Sequence, residues 1–331
     1  MRIDCSAPTR IDLAGGTYDI WPLYLFHDRA QTINAALSLR ASCTLESRDD
    51  SRVVLVSEDT HERVEASSAR ELGFDRLALL ARLAHVFDAS GLTLTTRSDS
   101  PLGAGIAGSS ALNIAVTKAL SLWTCRHTSD EEVLRTAMNV EAQVIAVPTG
   151  AQDYRPALYG GVSAVELDAM GVRRVRLDVS GRELGARIVV AYTGATRNSG
   201  INNWDVMKRR IDGDPEVTAA FDGIRDAAVG MRHALSTQDW DATARHLQAE
   251  WRHRVRLAPG VTTPAITALL ETAREAGATA GKVCGAGGGG CLFCLVPPDR
   301  KAAVAHALAA AGAQILDCAI DEEGVRVQRS A

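Results

Sequence analysis

Two serines stand directly behind three glycines in Pro101-Leu102-Gly103-Ala104-Gly105-Ile106-Ala107-Gly108-Ser109-Ser110-Ala111, and these are the residues whose types and spacing could do chemistry. Leu92 to Thr96 before them alternates like a half-buried strand, and Leu112 to Trp123 after them carries apolar residues at helical spacing. A strand that runs into a glycine turn opening a helix leaves main-chain N–H groups pointing one way. The helix dipole adds about half a positive charge there, so the turn can cradle an anion. An ordinary glycine turn with a serine N-cap would leave the same trace. Gly103, Gly105 and Gly108 also satisfy G-x-G-x-x-G, the dinucleotide fingerprint. That fingerprint needs a second strand ending in an acid about twenty residues on. Here Ser129-Asp130-Glu131-Glu132 follows, a capping box that opens another helix. A hydroxyl pair suits a metal–triphosphate better than a dinucleotide. With no Gly-Lys-Ser/Thr following, a P-loop is excluded.

Elements around this turn must bring other polar groups to it. Ile3 to Leu13 reads as a strand interrupted by Pro8, and it ends in a glycine pair, Gly15-Gly16, flanked by Arg10 and Asp19. Thr32 to Glu46 and Val53 to Ser57 read as further strands, and Asp75 to Ala89 as an amphipathic helix stopped by Gly91. The helix from Asp130 to about Val147 carries Glu141, and the turn-rich Pro148-Thr149-Gly150-Ala151-Gln152-Asp153 ends in a second acid. Glu141 and Asp153 could meet the glycine loop, or could be ordinary surface acids.

From Arg187 to Tyr192 the chain is strongly β, and its character then turns helical: Asn203 to Ile211, Pro215 to about Leu235, Asp239 to Arg256, and Pro264 to Ala276. Trp251-Arg252-His253-Arg254-Val255-Arg256 is the most basic cluster and reads as a solvated or interdomain helix face rather than a nucleic-acid patch. Lys282-Val283-Cys284-Gly285-Ala286-Gly287-Gly288-Gly289-Gly290 precedes a strand, Leu292 to Val296, so its G-x-G-x-x-G has the wrong orientation for a dinucleotide site. Such a run means main chain passing very close to something, either an anion facing the loop or a tight helix–sheet crossing. A helix from Asp299 to Ala311 and strands from Gln314 to Ile320 and Val325 to Gln328 close the chain.

At 331 residues the chain has the length of about two domains. Its 46% hydrophobic and 23% charged residues suit a soluble globular protein, and a net charge of −4 offers nucleic acid or an anionic membrane no broad attraction. No apolar run is long enough to span a bilayer, and Met1-Arg2-Ile3-Asp4-Cys5 lacks a signal peptide's apolar stretch, so a cytoplasmic protein is expected. The seven cysteines form no disulfide framework. Cys291 and Cys294 make a lone C-x-x-C in an apolar run, which reads as small hydrophobes rather than a zinc site.

Taken together, Ala7-Pro8-Thr9-Arg10 through Asp19, Pro101 through Ala111, and Lys282 through Gly290 resemble the GHMP kinase family (galactokinase, homoserine kinase, mevalonate kinase, phosphomevalonate kinase), in its order and at its separations. Ala14-Gly15-Gly16…Asp19, Gln152-Asp153 and Tyr192-Thr193-Gly194 with Thr196-Arg197 are most similar to the branch acting on D-glycero-D-manno-heptose 7-phosphate. Thr17 and Tyr18 depart from that branch and stand where they could reshape a sugar pocket. Ala107-Gly108 replaces its usual Gly-Ser.

The resemblance implies an α+β fold of two domains. Residues 1–185 would hold a left-handed β-α-β unit, and residues 186–331 would be ferredoxin-like. It implies ATP over Pro101, Gly103, Gly105, Ile106, Ala107, Gly108, Ser109 and Ser110. Mg²⁺ would be held by Ser110 (or Ser109) and Glu141. Asp153 would orient or deprotonate the anomeric hydroxyl beside Arg10, and Asp19 would bind sugar hydroxyls, with Gly15, Gly16, Gln152, Gly285, Gly287 and Gly288 around the acceptor. A 7-phosphate calls for arginine, and the candidates are Arg155 and Arg197. Other acceptors (fucose, a hexuronic acid, an N-acetylhexosamine) and a non-catalytic sugar sensor are the alternatives.

Overall fold

A computed structural model of the chain describes residues 1–196 and 203–330. Two long antiparallel strands, β1 (Arg2–Ala14) and β2 (Gln31–Ser47), form its spine, paired from Arg2↔Glu46 to Ala14↔Ile33. Pro8 does not end β1. The ladder shifts register between Pro8 and Thr9, which is where a strand tolerates a missing N–H. The hairpin β3 (Val53–Ser57) and β4 (Glu62–Ala66) leads through α1 (Ala78–Val86) to β5 (Leu92–Ser98), which runs parallel to β3 and antiparallel to β2. Helices α2 (Gly108–Trp123), α3 (Asp130–Ile145) and the short α4 (Tyr154–Tyr159) follow, then the hairpin β6 (Val162–Asp168) and β7 (Gly171–Arg176). The Ser129–Glu132 capping box at the start of α3 forms with both of its hydrogen bonds.

α5 (Gly181–Ala186) leads to a second sheet. β8 (Ile188–Tyr192) is followed by α6 (Asn203–Ile211), α7 (Pro215–Ser236), α8 (Trp240–Arg254) and α9 (Pro264–Glu275), then β9 (Ala280–Val283), β10 (Cys291–Leu295), α10 (Lys301–Ala310) and β11 (Gln314–Leu316). Its order is β11-β8-β10-β9, all antiparallel, the β-α-β-β-α-β arrangement of ferredoxin-like domains. The last strand, β12 (Arg326–Ser330), crosses back and pairs with β1, so a division at 185/186 assigns it to one half while its hydrogen bonds lie with the other. The first sheet reads β12-β1-β2-β5-β3-β4, with β6 and β7 branching from the N-terminal end of β2.

One apolar core lies between this sheet and α1 to α4. A second is shared between the halves: Ile11, Ile33 and Ile106 pack with Val190, Phe293, Met231 and Leu247. Loops brought to this seam are therefore held from both sides. The two thiols of the C-x-x-C point to opposite faces of β10, Cys291 into the shared core and Cys294 into the core under α9 and α10. Burial pushes both up to about 12, as befits small apolar residues. Among the described residues no helix is long and apolar enough to cross a membrane.

Candidate active site

The glycine loop between β5 and α2 turns through left-handed backbone at Gly103, Gly105 and Ala107. Ala107 is the N-cap of α2 and supplies no side-chain acceptor, so Ser109 and Ser110 are not caps. Both lie in the first turn and donate to one carboxylate of α3: Ser109 Oγ to Glu141 Oε1 at 2.7 Å, Ser110 Oγ to Glu141 Oε2 at 3.0 Å. At Gly108 a Cβ would come within 2.9 Å of Ser100 Oγ. A hydroxyl from the preceding strand end thus lies beside the position where this loop lacks its usual serine.

Across the cleft, Arg10 on β1 is wholly buried and donates through Nε (2.9 Å) and Nη2 (2.6 Å) to Asp153 Oδ1, and through Nη1 (3.1 Å) to the carbonyl of Gly105. The same side chain therefore ties the glycine loop to the second acid. Both bonds to Asp153 end on Oδ1, so Oδ2 is not engaged by the arginine, and the Asp153 side chain keeps 28% of its surface exposed. Burial would lower the Arg10 pKa, but Asp153 and Asp12 outweigh it and the guanidinium stays charged. Glycine loop, Ser109, Ser110, Glu141, Asp153 and Asn203 line one cleft of about 670 Å³, a size suited to a nucleotide and part of a second substrate.

Asp19 and Gln152 meet at one end of this arrangement. The Gln152 N–H donates to Asp19 Oδ2 at 2.8 Å, while Gln152 Oε1 is buried with no protein partner among the described residues. Burial, then the nearby Asp153 carboxylate, pushes Asp19 up to about 6.

The second glycine run packs closely against neighbouring main chain in both halves of the molecule. A Cβ on Gly290 would lie 2.6 Å from the Ala104 carbonyl, which accepts from Cys291 N–H, and one on Gly287 would collide with the Val261 carbonyl. Neither close contact is a helix–sheet crossing: Ala104 lies in the loop after β5 and Val261 in the loop between α8 and α9. Gly288 N–H donates to Val261 O at 3.0 Å, and Gly285 N–H donates to Asp12 Oδ1 at 2.9 Å.

Asp12 was not singled out from sequence, nor was Glu250. Asp12 Oδ2 accepts from Lys282 Nζ at 2.7 Å, Lys282 also pairs with Glu250 Oε2 at 3.0 Å, and Arg254 donates to Glu250 Oε1 at 2.6 Å and to Thr17 Oγ1 at 3.0 Å. All four charged side chains are at most 2% exposed. Burial opposes ionisation of Asp12, but Lys282, Arg254 and Arg10 together hold it down to about 2. Arg254, in the basic cluster of α8, is thus interior rather than solvated. Gly16 abuts this network: a Cβ there would be 2.5 Å from Arg254 Nη2. A clue was available in the sequence, since an arginine and an acid two apart in an otherwise apolar strand share a face and need buried partners.

Some expected residues lie elsewhere. Tyr18 is fully buried. Its hydroxyl donates to Phe221 O at 3.0 Å and its ring packs edge-on against Phe221 and His27. Gly15 carries the chain tightly past the main chain of Gln31. Arg155 is buried, with Nη1 on the Ala151 carbonyl (3.1 Å) and Nη2 on that of Val172 (3.2 Å), so the fork expected to meet a substrate phosphate is occupied by main chain. Arg197 lies outside the described residues.

Comparison with known proteins bears on what this cleft does. Models of the GHMP kinase N-terminal domain and of the GHMP kinase C-terminal region match residues 75–161 and 231–314. The D-glycero-alpha-D-manno-heptose 7-phosphate kinase of Campylobacter jejuni is 30% identical over 338 residues, covering 99% of both chains. The chain belongs to the GHMP kinase family. A mevalonate kinase of Thermococcus onnurineus is 27% identical, again over 99% of both chains. The crystal structure of a sugar kinase from Campylobacter jejuni superposes with a TM-score of 0.80 at 28% identity, over 99% of this chain and 98% of that one. As a GHMP kinase the protein is an ATP-dependent phosphotransferase.

Proposed function

We propose that the protein transfers the γ-phosphoryl group of ATP to the anomeric hydroxyl of a D-glycero-D-manno-heptose 7-phosphate, giving the 1,7-bisphosphate and ADP in the cytoplasm. The reading is carried by one observation: Asp153 and the Ser109–Ser110–Glu141 set line the same cleft as the glycine loop, and the buried Arg10 ties Asp153 to that loop. The similarity, over 99% of both chains, to a heptose 7-phosphate kinase supports this choice of acceptor.

Phosphoryl transfer needs positioning and charge neutralisation more than covalent chemistry. Asp153 Oδ2 accepts the hydrogen bond and then the proton of the acceptor hydroxyl as its oxygen bonds to the γ-phosphorus and the bond to the ADP oxygen breaks. Arg10 fixes the Asp153 carboxylate and contributes positive charge near the transferring group. Main-chain N–H groups at the start of α2 face the phosphates. Asp19 and the unpartnered Gln152 Oε1 supply acceptors for sugar hydroxyls.

Glu141 with Ser109 and Ser110 is a set of hard oxygen donors and fits Mg²⁺. Among the described residues there is no group of three His, Cys, Asp or Glu, so a cation here would complete its shell from phosphate and water, as Mg²⁺ does beside nucleotides. Bound there, Mg²⁺ would neutralise charge on the β- and γ-phosphates. Ser110→Ala and Glu141→Gln are expected to raise the Mg²⁺ concentration for half-maximal rate by about tenfold or more. Sugar binding without nucleotide should be unchanged. An unaltered Mg²⁺ titration in both variants would remove these residues from the metal site.

The acceptor is tested by kcat/KM for matched free and 7-phosphorylated sugars, read as ADP release. The phosphorylated sugar is expected to win, and Arg197→Ala to raise its KM at least about tenfold through loss of a bidentate contact. One observation favours a second reading. Arg155 is committed to main-chain carbonyls, so one of the two candidate phosphate ligands is missing and an unphosphorylated sugar such as fucose, a hexuronic acid or an N-acetylhexosamine would fit more easily. Preference for a free sugar would select that reading and leave the kinase assignment intact. No turnover with any sugar would point to a sensor.

A further inference from the structure

Glu141 has a third partner that belongs to neither the glycine loop nor its own helix. Tyr154 Oη donates to Glu141 Oε2 at 2.7 Å, so that this oxygen receives both Tyr154 and Ser110 while Oε1 receives Ser109. The Tyr154 ring is 1% exposed and sits in the core formed by Ala111, Ile114, Ala137, Val140, Ala157 and Leu158. It is anchored to the helices α2 and α3 that carry the serines and the glutamate. Tyr154 also directly follows Asp153, at the start of α4.

We propose that Tyr154 is a positioning residue that locks the Glu141 carboxylate relative to Asp153, so that one peptide unit sets the spacing between the metal-binding and acceptor-activating ends of the site. The two serine hydroxyls hold both Glu141 oxygens, but both come from one turn of α2 and so fix the carboxylate to that helix alone. A third donor on a different element fixes it to α4 as well. Because that donor is covalently next to Asp153, any movement of α4 carries both groups together. The serines alone would fix Glu141 to the glycine loop but not to the acceptor side. The proposal rests on the reading of Glu141 as the metal ligand.

Tyr154→Phe removes one oxygen and keeps the buried ring. The expected result is a ten- to hundredfold rise in the Mg²⁺ concentration at which ADP binding, followed by calorimetry across a Mg²⁺ series, is half-strengthened, the range seen when partners of metal ligands are lost. The kcat at saturating Mg²⁺ should fall about tenfold, with KM for the acceptor unchanged. Glu141→Gln is run beside it. An unmoved Mg²⁺ series in Tyr154→Phe with a shifted one in Glu141→Gln would overturn the positioning role and leave the metal site standing. If neither series moves, the metal reading fails and this proposal with it. A lower melting temperature in metal-free buffer with an unmoved series would make Tyr154 a packing residue only and would also overturn it.

Discussion

Asp153→Asn is expected to lower kcat by about 10²–10⁴, the range for a positioned acid–base group, with the affinity for ATP nearly unchanged. The amide keeps the shape of the side chain and can still accept Arg10 at Oδ1. What it loses is the charged Oδ2, the oxygen that Arg10 does not engage. A carboxylate there can take the acceptor proton, and an amide cannot. The substitution also leaves Arg10 with less compensating charge, but Asp12 Oδ1 remains 3.9 Å from Nη1, and the Asp153 side chain is partly solvated, so the fold should survive. Single-turnover rates separate chemistry from product release. A variant that kept more than about half of the wild-type chemical rate would remove Asp153 from the reaction and leave it as a tether for Arg10.

The largest expected effect on stability is at Asp12. Three buried cations, Arg10, Lys282 and Arg254, face Asp12, Glu250 and Asp153, and Asp12 touches or approaches all three. Asp12→Asn preserves an acceptor for Gly285 N–H but leaves one buried positive charge uncompensated, which costs about 3–5 kcal/mol when a buried pair is broken on one side. Urea unfolding should show it as a lower midpoint. Lys282→Met should cost a similar amount alone, but the double variant restores neutrality and should be less destabilised than the sum of the two. Strict additivity would show that the network is not electrostatically coupled.

The same group gives a pH dependence. Its folded pKa, about 2, lies below the ordinary 3.8 of an aspartate, so its contribution is fully present above about pH 4 and is lost as pH falls through 2. The difference corresponds to about 2–3 kcal/mol. In Asp12→Asn this part of the acid transition should vanish.

Local pattern carried the strand–glycine–helix unit around Pro101 to Trp123, the capping box at Ser129, the limits of β3 and α6, and the reading of Cys291 and Cys294 as apolar residues. These depend on periodicity, caps and turn chemistry within a few residues, and such signals are written where they act. Three separated stretches, in the order and at the separations of the GHMP kinases, carried the resemblance to that family. Short elements such as α4, α5, β4 and β9 escaped because four to six residues hold too little periodicity.

Tertiary structure alone decided which polar groups converge. Glu141 looked like any surface acid on a helix until α2 and α4 closed over it, bringing Ser109, Ser110 and Tyr154 to its two oxygens. Arg155 had the right type and neighbourhood for a phosphate, yet burial gave its fork to two carbonyls. Asp12, Glu250, Arg254 and Lys282 come from β1, α8 and β9, separated by more than 230 residues between the first two, so no local pattern links them. Burial makes each depend on the others, since an ionised group removed from water must find its counter-charge wherever the chain happens to bring one.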